Sequence, residues 1–189
     1  HDYIEDAIDH GAACIIAEHG EYSVKTMIVP DTRTYLSNYL KELYADKLSK
    51  LKIVGITGTN GKTTSCYLIY QLLNRLGVKA AYMGTIGFYL PESNRPLANT
   101  TPDLYDLYDM LVEAANDECE VMAMEVSSQA LDMRRLEGIK FDMVSFTNLT
   151  REHLDYHKTM QEYEAAKLEL FKNVKKSGYA IINMDDKYG

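Results

Sequence analysis

Apolar positions along this 189-residue chain fall into two kinds of stretch, short continuous runs and longer segments with helical spacing. Ile4, Ala7 and Ile8 sit at helical spacing and are closed by Gly11, which predicts a helix over 2–10. Residues 12–17 read as a buried strand and 24–29 as a second strand ending at Pro30. Asp31-Thr32 then opens a helix carrying Leu36, Tyr39, Leu40 and Leu43. This is an αββα piece with no evident chemistry, expected to be the end of a small unit whose beginning lies before His1. Lys47 to Lys50 reads as a polar link.

From Lys52 onward strand and helix alternate. Strands are predicted near 52–57, 79–86, 120–126, 142–148 and 179–184, and helices near 62–76, 102–116, 129–136 and 161–175. In the last helix Ala165, Leu168 and Phe171 are expected to face inward. Such alternation predicts an α/β domain built on a mostly parallel sheet with both faces covered, and ligands then gather at the carboxyl ends of the strands. The chain stops soon after the last strand, so more sheet is expected beyond Gly189.

Composition narrows the class without naming the function. Apolar residues are 46% and charged residues 25%, ordinary for a soluble globular protein. Net charge is −8, which argues against nucleic acid as a partner. No apolar run approaches the ~20 residues of a membrane span, and a cytoplasmic location is expected. Cys14, Cys66 and Cys119 are an odd number, far apart and without a C-x-x-C pair. Three buried thiols are expected, rather than a disulfide framework or a zinc site.

Chemistry is sought at each strand end. After the first comes Thr57-Gly58-Thr59-Asn60-Gly61-Lys62-Thr63-Thr64, then the apolar helical pattern Tyr67, Leu68, Leu72, Leu73, Leu76. Strand, glycine loop, Lys-Thr and helix is the layout of a phosphate-binding loop: backbone N–H groups converge on phosphate, the lysine adds charge and the hydroxyl a magnesium ligand. A glycine usually stands six residues before the lysine, and here that position is Ile56. After the second strand, Gly84-Thr85-Ile86-Gly87 leads to Asn99-Thr100-Thr101-Pro102. These residues either cap the next helix or contact a ligand, the helix start being placed at Thr101-Pro102-Asp103. After the third comes Glu125, then Val126, Ser127 and Ser128. A carboxylate at the tip of so apolar a strand is either at the surface or paired, magnesium being the obvious partner.

After the fourth strand, residues 147–157 hold His153, His157, Glu152 and Asp155 close together, and the two histidines could share one helix face. That spacing alone does not define a metal site. Lys167, four residues after Tyr163, reads by pattern as a solvated lysine. His153 and Lys167 are 14 residues apart, ~21 Å along a continuous helix, so a shared site needs a break between them. The break is expected at His157-Lys158-Thr159, with Thr159 as N-cap and Glu162 completing a capping box.

These blocks, in this order and with Tyr163-Glu164-Ala165-Ala166-Lys167 last, closely resemble the Mur ligases, and within them the branch that adds the third residue of the peptidoglycan stem peptide. The loop lacking the first glycine is that family's form. Folylpolyglutamate and cyanophycin synthetases are related alternatives, and a non-catalytic nucleotide-binding module is the alternative from another class. The resemblance implies a P-loop ATPase-like central domain over 49–189, preceded at 1–48 by the end of a uridine-binding domain. The segment that selects the amino acid is expected outside this chain. The implied activity is an ATP-dependent, acyl-phosphate-forming amide ligation of UDP-MurNAc-L-Ala-D-Glu with an amino acid, by a monomer. Gly58, Thr59, Asn60, Gly61, Lys62, Thr63 and Thr64 would cradle ATP. Thr63, Glu125, His153 and a carbamylated Lys167 would hold Mg2+. Asn99, Thr100, Thr101, Ser127 and Arg135 would contact the UDP-sugar peptide. The family pattern has glutamine two residues before that arginine, whereas this chain has Met133.

Overall fold

A computed structural model describes residues 3–151 and 156–189. The first part of the chain holds α1 (Ile4–Asp9), β1 (Cys14–Ala17), β2 (Lys25–Ile28), α2 (Thr32–Leu43) and α3 (Ala45–Leu48). Strands β1 and β2 pair in parallel as a sheet of their own. β1 is half-buried rather than buried: Ile15 and Ala17 point inward while Cys14 and Ile16 are exposed. Cys14 is thus an exposed thiol, and only Cys66 and Cys119 are buried as expected. Asp31 caps α2, its carboxylate accepting the Thr34 N–H at 2.6 Å. The expected polar link contains the helical turn α3, whose Leu48 packs against the main core beside Tyr44.

The rest follows as β3 (Lys52–Thr57), α4 (Lys62–Arg75), β4 (Ala80–Gly84), β5 (Gly87–Tyr89), β6 (Asn94–Arg95), α5 (Leu104–Asn116), β7 (Val121–Glu125), α6 (Ser128–Asp132), β8 (Phe141–Phe146), α7 (Met160–Leu168), a 3₁₀ turn (Phe171–Asn173) and β9 (Val174–Ile182). Seven strands form one sheet in the order β6-β5-β4-β7-β3-β8-β9. The pairs among β4, β7, β3, β8 and β9 are parallel, and β5 and β6 add an antiparallel edge. Two differences from the expected elements have local causes. β5 and β6 are short and rich in Gly, Pro and Asn nearby, so they read as loop. β9 begins at Val174 because a register shift between Phe141 and Met143 lets its polar first half pair with β8.

Both faces of the sheet are covered. On one, Val54, Ile56, Tyr82 and Ala123 pack against Cys66 of α4. On the other, Ile53, Ala81, Met83, Met122 and Met124 pack against Leu104, Leu107, Leu111 and Ala114 of α5. Alternating side chains of central strands therefore supply two cores, as a two-sided parallel sheet requires. Leu68 and Leu72 of α4, with Leu76 at its C-cap, point outward instead. No helix among the described residues is long and apolar enough to cross a membrane.

The first part of the chain is tied to the sheet by polar contacts. Arg33 of α2 donates to Asp103 at 2.6 Å, and Arg134 donates to Asp31 at 2.8 Å and to the Thr34 hydroxyl at 2.7 Å. Buried Ser37 donates to the Glu137 carbonyl at 2.8 Å. These guanidinium hydrogen bonds hold the Asp31 and Asp103 carboxyls below the usual carboxylate range.

Candidate active site

The carboxyl ends of β3, β4, β7 and β8 meet along one edge of the sheet. β3 runs into the loop 58–61, where Gly58 has φ +144° and Gly61, the N-cap of α4, has φ +86°. Both lie in the region that favours glycine. A side chain at Gly58 would also overlap the Thr147 hydroxyl. Lys62 folds back over this loop and donates to the carbonyls of Gly58 at 2.9 Å and Thr59 at 2.7 Å. Thr63 and Thr64 follow in the first turn of α4.

The loop is braced from the end of β8. The Asn148 carbonyl accepts the Thr59 N–H at 2.8 Å. The Asn148 side chain accepts the Asn60 N–H at 3.0 Å and donates to the Asn60 carbonyl at 3.1 Å. Thr147 donates to the same carbonyl at 2.7 Å. Asn183, just past β9, holds the Thr147 carbonyl at 2.7 Å in turn.

Glu125 ends β7 and is fully buried. Its Oε1 accepts the Tyr82 hydroxyl at 2.5 Å and the Thr85 N–H at 2.9 Å. Its Oε2 accepts the hydroxyls of Thr63 at 2.8 Å and Thr85 at 3.2 Å. Gly84 makes room for this cluster, since a Cβ there would overlap both Glu125 and the Tyr82 hydroxyl. Of the two readings of Glu125, the surface carboxylate is thereby excluded. A buried carboxylate beside a helix-opening threonine hydroxyl is a set of hard oxygen donors that suits Mg2+, whose remaining positions are filled by water and phosphate oxygens. No cluster of three or more His, Cys, Asp or Glu occurs among the described residues. His153 lies outside them, so its place is not described.

The pattern reading of Lys167 as a solvated lysine is corrected. Lys167 is 3% exposed, whereas Ala165 and Leu168 are exposed. The inward face of α7 is Tyr163, Ala166 and Lys167, followed by Leu170, one position off the expected stripe. Lys167 Nζ donates to the Gly58 carbonyl at 2.9 Å and lies 4.4 Å from the centre of the Tyr163 ring. The Tyr163 hydroxyl sits 3.2 Å from that of Thr59. Thr159 caps α7 as expected, accepting the Glu162 N–H at 3.2 Å. His157 precedes the helix, is buried, stacks on Tyr163 and lies 2.9 Å from the Ser128 hydroxyl.

Lys62 and Lys167 open onto a cavity of about 390 Å³ shared with Asn99, Thr100, Thr101, Ser127 and Arg135. Thr101 does not cap α5, as the helix start placed there would have it; Asp103 does, accepting the Leu104 N–H at 2.7 Å. Thr101 instead donates to the Glu125 carbonyl at 2.9 Å and accepts the Ser127 N–H at 3.1 Å. Ser127 caps α6 through the Ala130 N–H at 3.2 Å. Arg135 donates to the Thr101 carbonyl at 3.0 Å and to the Met133 sulfur at 3.3 Å. The methionine that stands where the family pattern has glutamine thus lies against the arginine.

Tyr82, Thr85 and Asn148 were not among the expected site residues. Gly84-Thr85 at a strand end was a usable signal for Thr85, whereas Tyr82 lies within the strand. Nothing local distinguishes Asn148, whose partners lie 88 residues away.

Comparison with known proteins agrees with this geometry. The family model for the Mur ligase middle domain matches residues 56–189. A UDP-N-acetylmuramoyl-L-alanyl-D-glutamate–2,6-diaminopimelate ligase from Chlorobium phaeobacteroides is 40% identical over 191 residues, covering 98% of this chain. A solved structure of a protein of the same name superposes with a TM-score of 0.84 at 33% identity over 99% of the chain. The MurF ligase of Thermotoga maritima, solved in complex with ADP, shares the fold at a TM-score of 0.60 and 21% identity, over 98% of this chain and 40% of its own. The chain spans 37% of the Chlorobium protein and 38% of the first structure. A matched middle domain, a relative of this identity and the strand-end geometry place the chain in the Mur ligase family.

Proposed function

We propose that the parent protein is an ATP-dependent ligase that joins an amino acid to the free D-glutamate carboxylate of UDP-MurNAc-L-Ala-D-Glu. The observation that carries this reading is the convergence of Lys62, Lys167, Thr101, Ser127 and Arg135 on one cavity, whose lining residue Thr85 donates to the buried Glu125 carboxylate. Residues 58–64 take the ATP phosphates at the N-terminus of α4, where backbone N–H groups and the helix dipole favour an anion. Lys62 turns from the loop carbonyls to the transferring phosphoryl group. Thr63 and Glu125 hold Mg2+, with His153 as a further ligand. The cation, when bound, neutralises charge on the phosphoryl oxygens.

Asn99, Thr100, Thr101, Ser127 and Arg135 hold the UDP-sugar peptide, with Arg135 set to meet a carboxylate or phosphate by its paired N–H groups. A carboxylate oxygen of D-glutamate attacks the terminal phosphorus and ADP leaves. The amine of the amino acid then attacks the acyl carbon, phosphate leaves with its oxygen, and a proton is released. Positioning and charge neutralisation supply most of such catalysis. Lys167 reacts as the free amine with CO2, giving a carbamate and a proton, so that an anion replaces a buried cation beside the metal ligands.

Residues 1–48 belong to a uridine-binding unit and 49–189 to the ATP-binding unit, in a monomer of the cytoplasm. The names of the 40% and 33% identical relatives favour 2,6-diaminopimelate as the amino acid. The test is ADP formation by the full-length protein. Dependence on both UDP-MurNAc-L-Ala-D-Glu and diaminopimelate is expected. Turnover driven by a folate or an aspartate polymer, or none with the dipeptide, overturns the reading.

A further inference from the structure

The two oxygens of Glu125 are not equivalent. Oε1 accepts from Tyr82 and from the Thr85 backbone N–H, both fixed donors. The Tyr82 ring is fully buried and wedged edge-on against Tyr67 at 5.5 Å and Tyr89 at 5.7 Å, so its hydroxyl cannot swing away. Among the described residues, Oε2 accepts only from the threonine hydroxyls. A hydroxyl can rotate its proton away and offer a lone pair to a cation. Two fixed donors therefore occupy one oxygen, and the other is free to exchange hydroxyl protons for a metal.

This inference rests on the reading of Glu125 as a metal ligand and adds a residue that nothing above assigns. We infer that Tyr82 is a positioning residue that confines Glu125 to ligation through Oε2 alone, and so sets a preference for Mg2+ over Ca2+. Mg2+ takes six ligands in tight octahedral geometry and loses nothing when a carboxylate offers one oxygen. Ca2+ takes six to eight ligands and often uses both oxygens of a carboxylate. With Oε1 held by Tyr82 and Thr85, two-oxygen ligation requires breaking a short buried hydrogen bond. Gly84 keeps the arrangement tight, because any side chain there would displace Oε1.

The test uses Tyr82→Phe in the full-length protein, with Tyr89→Phe as a control that removes a hydroxyl from the same aromatic cluster. Calorimetry gives the dissociation constants of Mg2+ and Ca2+ for the complex with a non-hydrolysable ATP analogue. The Ca2+/Mg2+ ratio of dissociation constants is expected to fall about tenfold in Tyr82→Phe and to stay at the wild-type value in Tyr89→Phe. An unchanged ratio in folded Tyr82→Phe, or an equal fall in Tyr89→Phe, overturns the inference. Should Tyr82→Phe not fold, Tyr82→fluorotyrosine is a stronger donor of nearly the same shape. There the ratio is expected to rise, and an unchanged ratio overturns the inference. Glu125→Gln separates the two layers. If it leaves Mg2+ affinity intact, the metal-ligand reading itself fails. If it weakens Mg2+ while Tyr82→Phe keeps the ratio, only the role of Tyr82 fails.

Discussion

Lys167 Nζ donates to the carbonyl of Gly58 at 2.9 Å, across 109 residues of sequence. One hydrogen bond thus joins the last helix of the site to the first glycine of the phosphate loop. It places the lysine beside Lys62, which donates to the same carbonyl. Lys167→Ala is expected to abolish ligation in the full-length protein while leaving nucleotide binding within a few-fold. Wild-type activity should rise with added bicarbonate after dialysis against CO2-free buffer. Steady-state ADP release reads both. Unaltered turnover in Lys167→Ala would exclude a role for the carbamate.

Asn148 holds both the N–H and the carbonyl of Asn60 and so fixes the loop before any ligand arrives. Asn148→Ala removes two hydrogen bonds to backbone, each worth about 1 kcal/mol. Nucleotide affinity is expected to drop about tenfold or more, as measured by calorimetry with ADP. Wild-type affinity in the variant would mean that the loop is ordered by other contacts.

Thr101 links the substrate side of the cavity to the strand end that carries Glu125. Thr101→Val keeps the shape and strands the Ser127 N–H and the Glu125 carbonyl. The expected cost is about 1–3 kcal/mol of stability, with a larger rise in KM for the UDP-dipeptide than for ATP. Thermal unfolding and initial rates check the two halves separately.

Asp103 and Asp31 test the tie between the first part of the chain and the sheet. Both carboxyls are held below their usual range by arginine hydrogen bonds. Their contribution is therefore complete above the unfolded carboxylate value of about 4 and is lost as pH falls through the lower folded values. Asp103→Asn is expected to lower stability at neutral pH and to shift acid unfolding to higher pH, the difference from wild type shrinking only as pH falls below about 4. Circular dichroism across an acid titration measures it. An unshifted midpoint would mean the Arg33–Asp103 pair is screened by solvent.

The sheet was legible because its central strands carry apolar residues on both faces, as in Val121-Met122-Ala123-Met124. The phosphate loop was legible because glycine, lysine and threonine must be adjacent in sequence to work. Lys167 was not legible as buried. Pattern reading assigns lysine to solvent and chose Ala165 and Leu168 for the inner face, whereas the polar surroundings of Gly58 and Tyr163 draw the lysine in. Thr101 was placed at a helix start for a similar reason. A threonine before proline resembles a cap until Asp103 is seen to accept the Leu104 N–H. Tyr82 looked like one more strand residue, since its partner Glu125 is 43 residues away.

The central claim is that this site activates a carboxylate by phosphorylation. The most direct test uses UDP-MurNAc-L-Ala-D-Glu whose free D-glutamate carboxylate carries heavy oxygen in both positions, turned over by the full-length protein with ATP and diaminopimelate. Mass spectrometry of the released phosphate should find one heavy oxygen in each molecule, carried from the carboxylate through the acyl phosphate. Phosphate without the label, formed at the rate of amide product, would contradict the account.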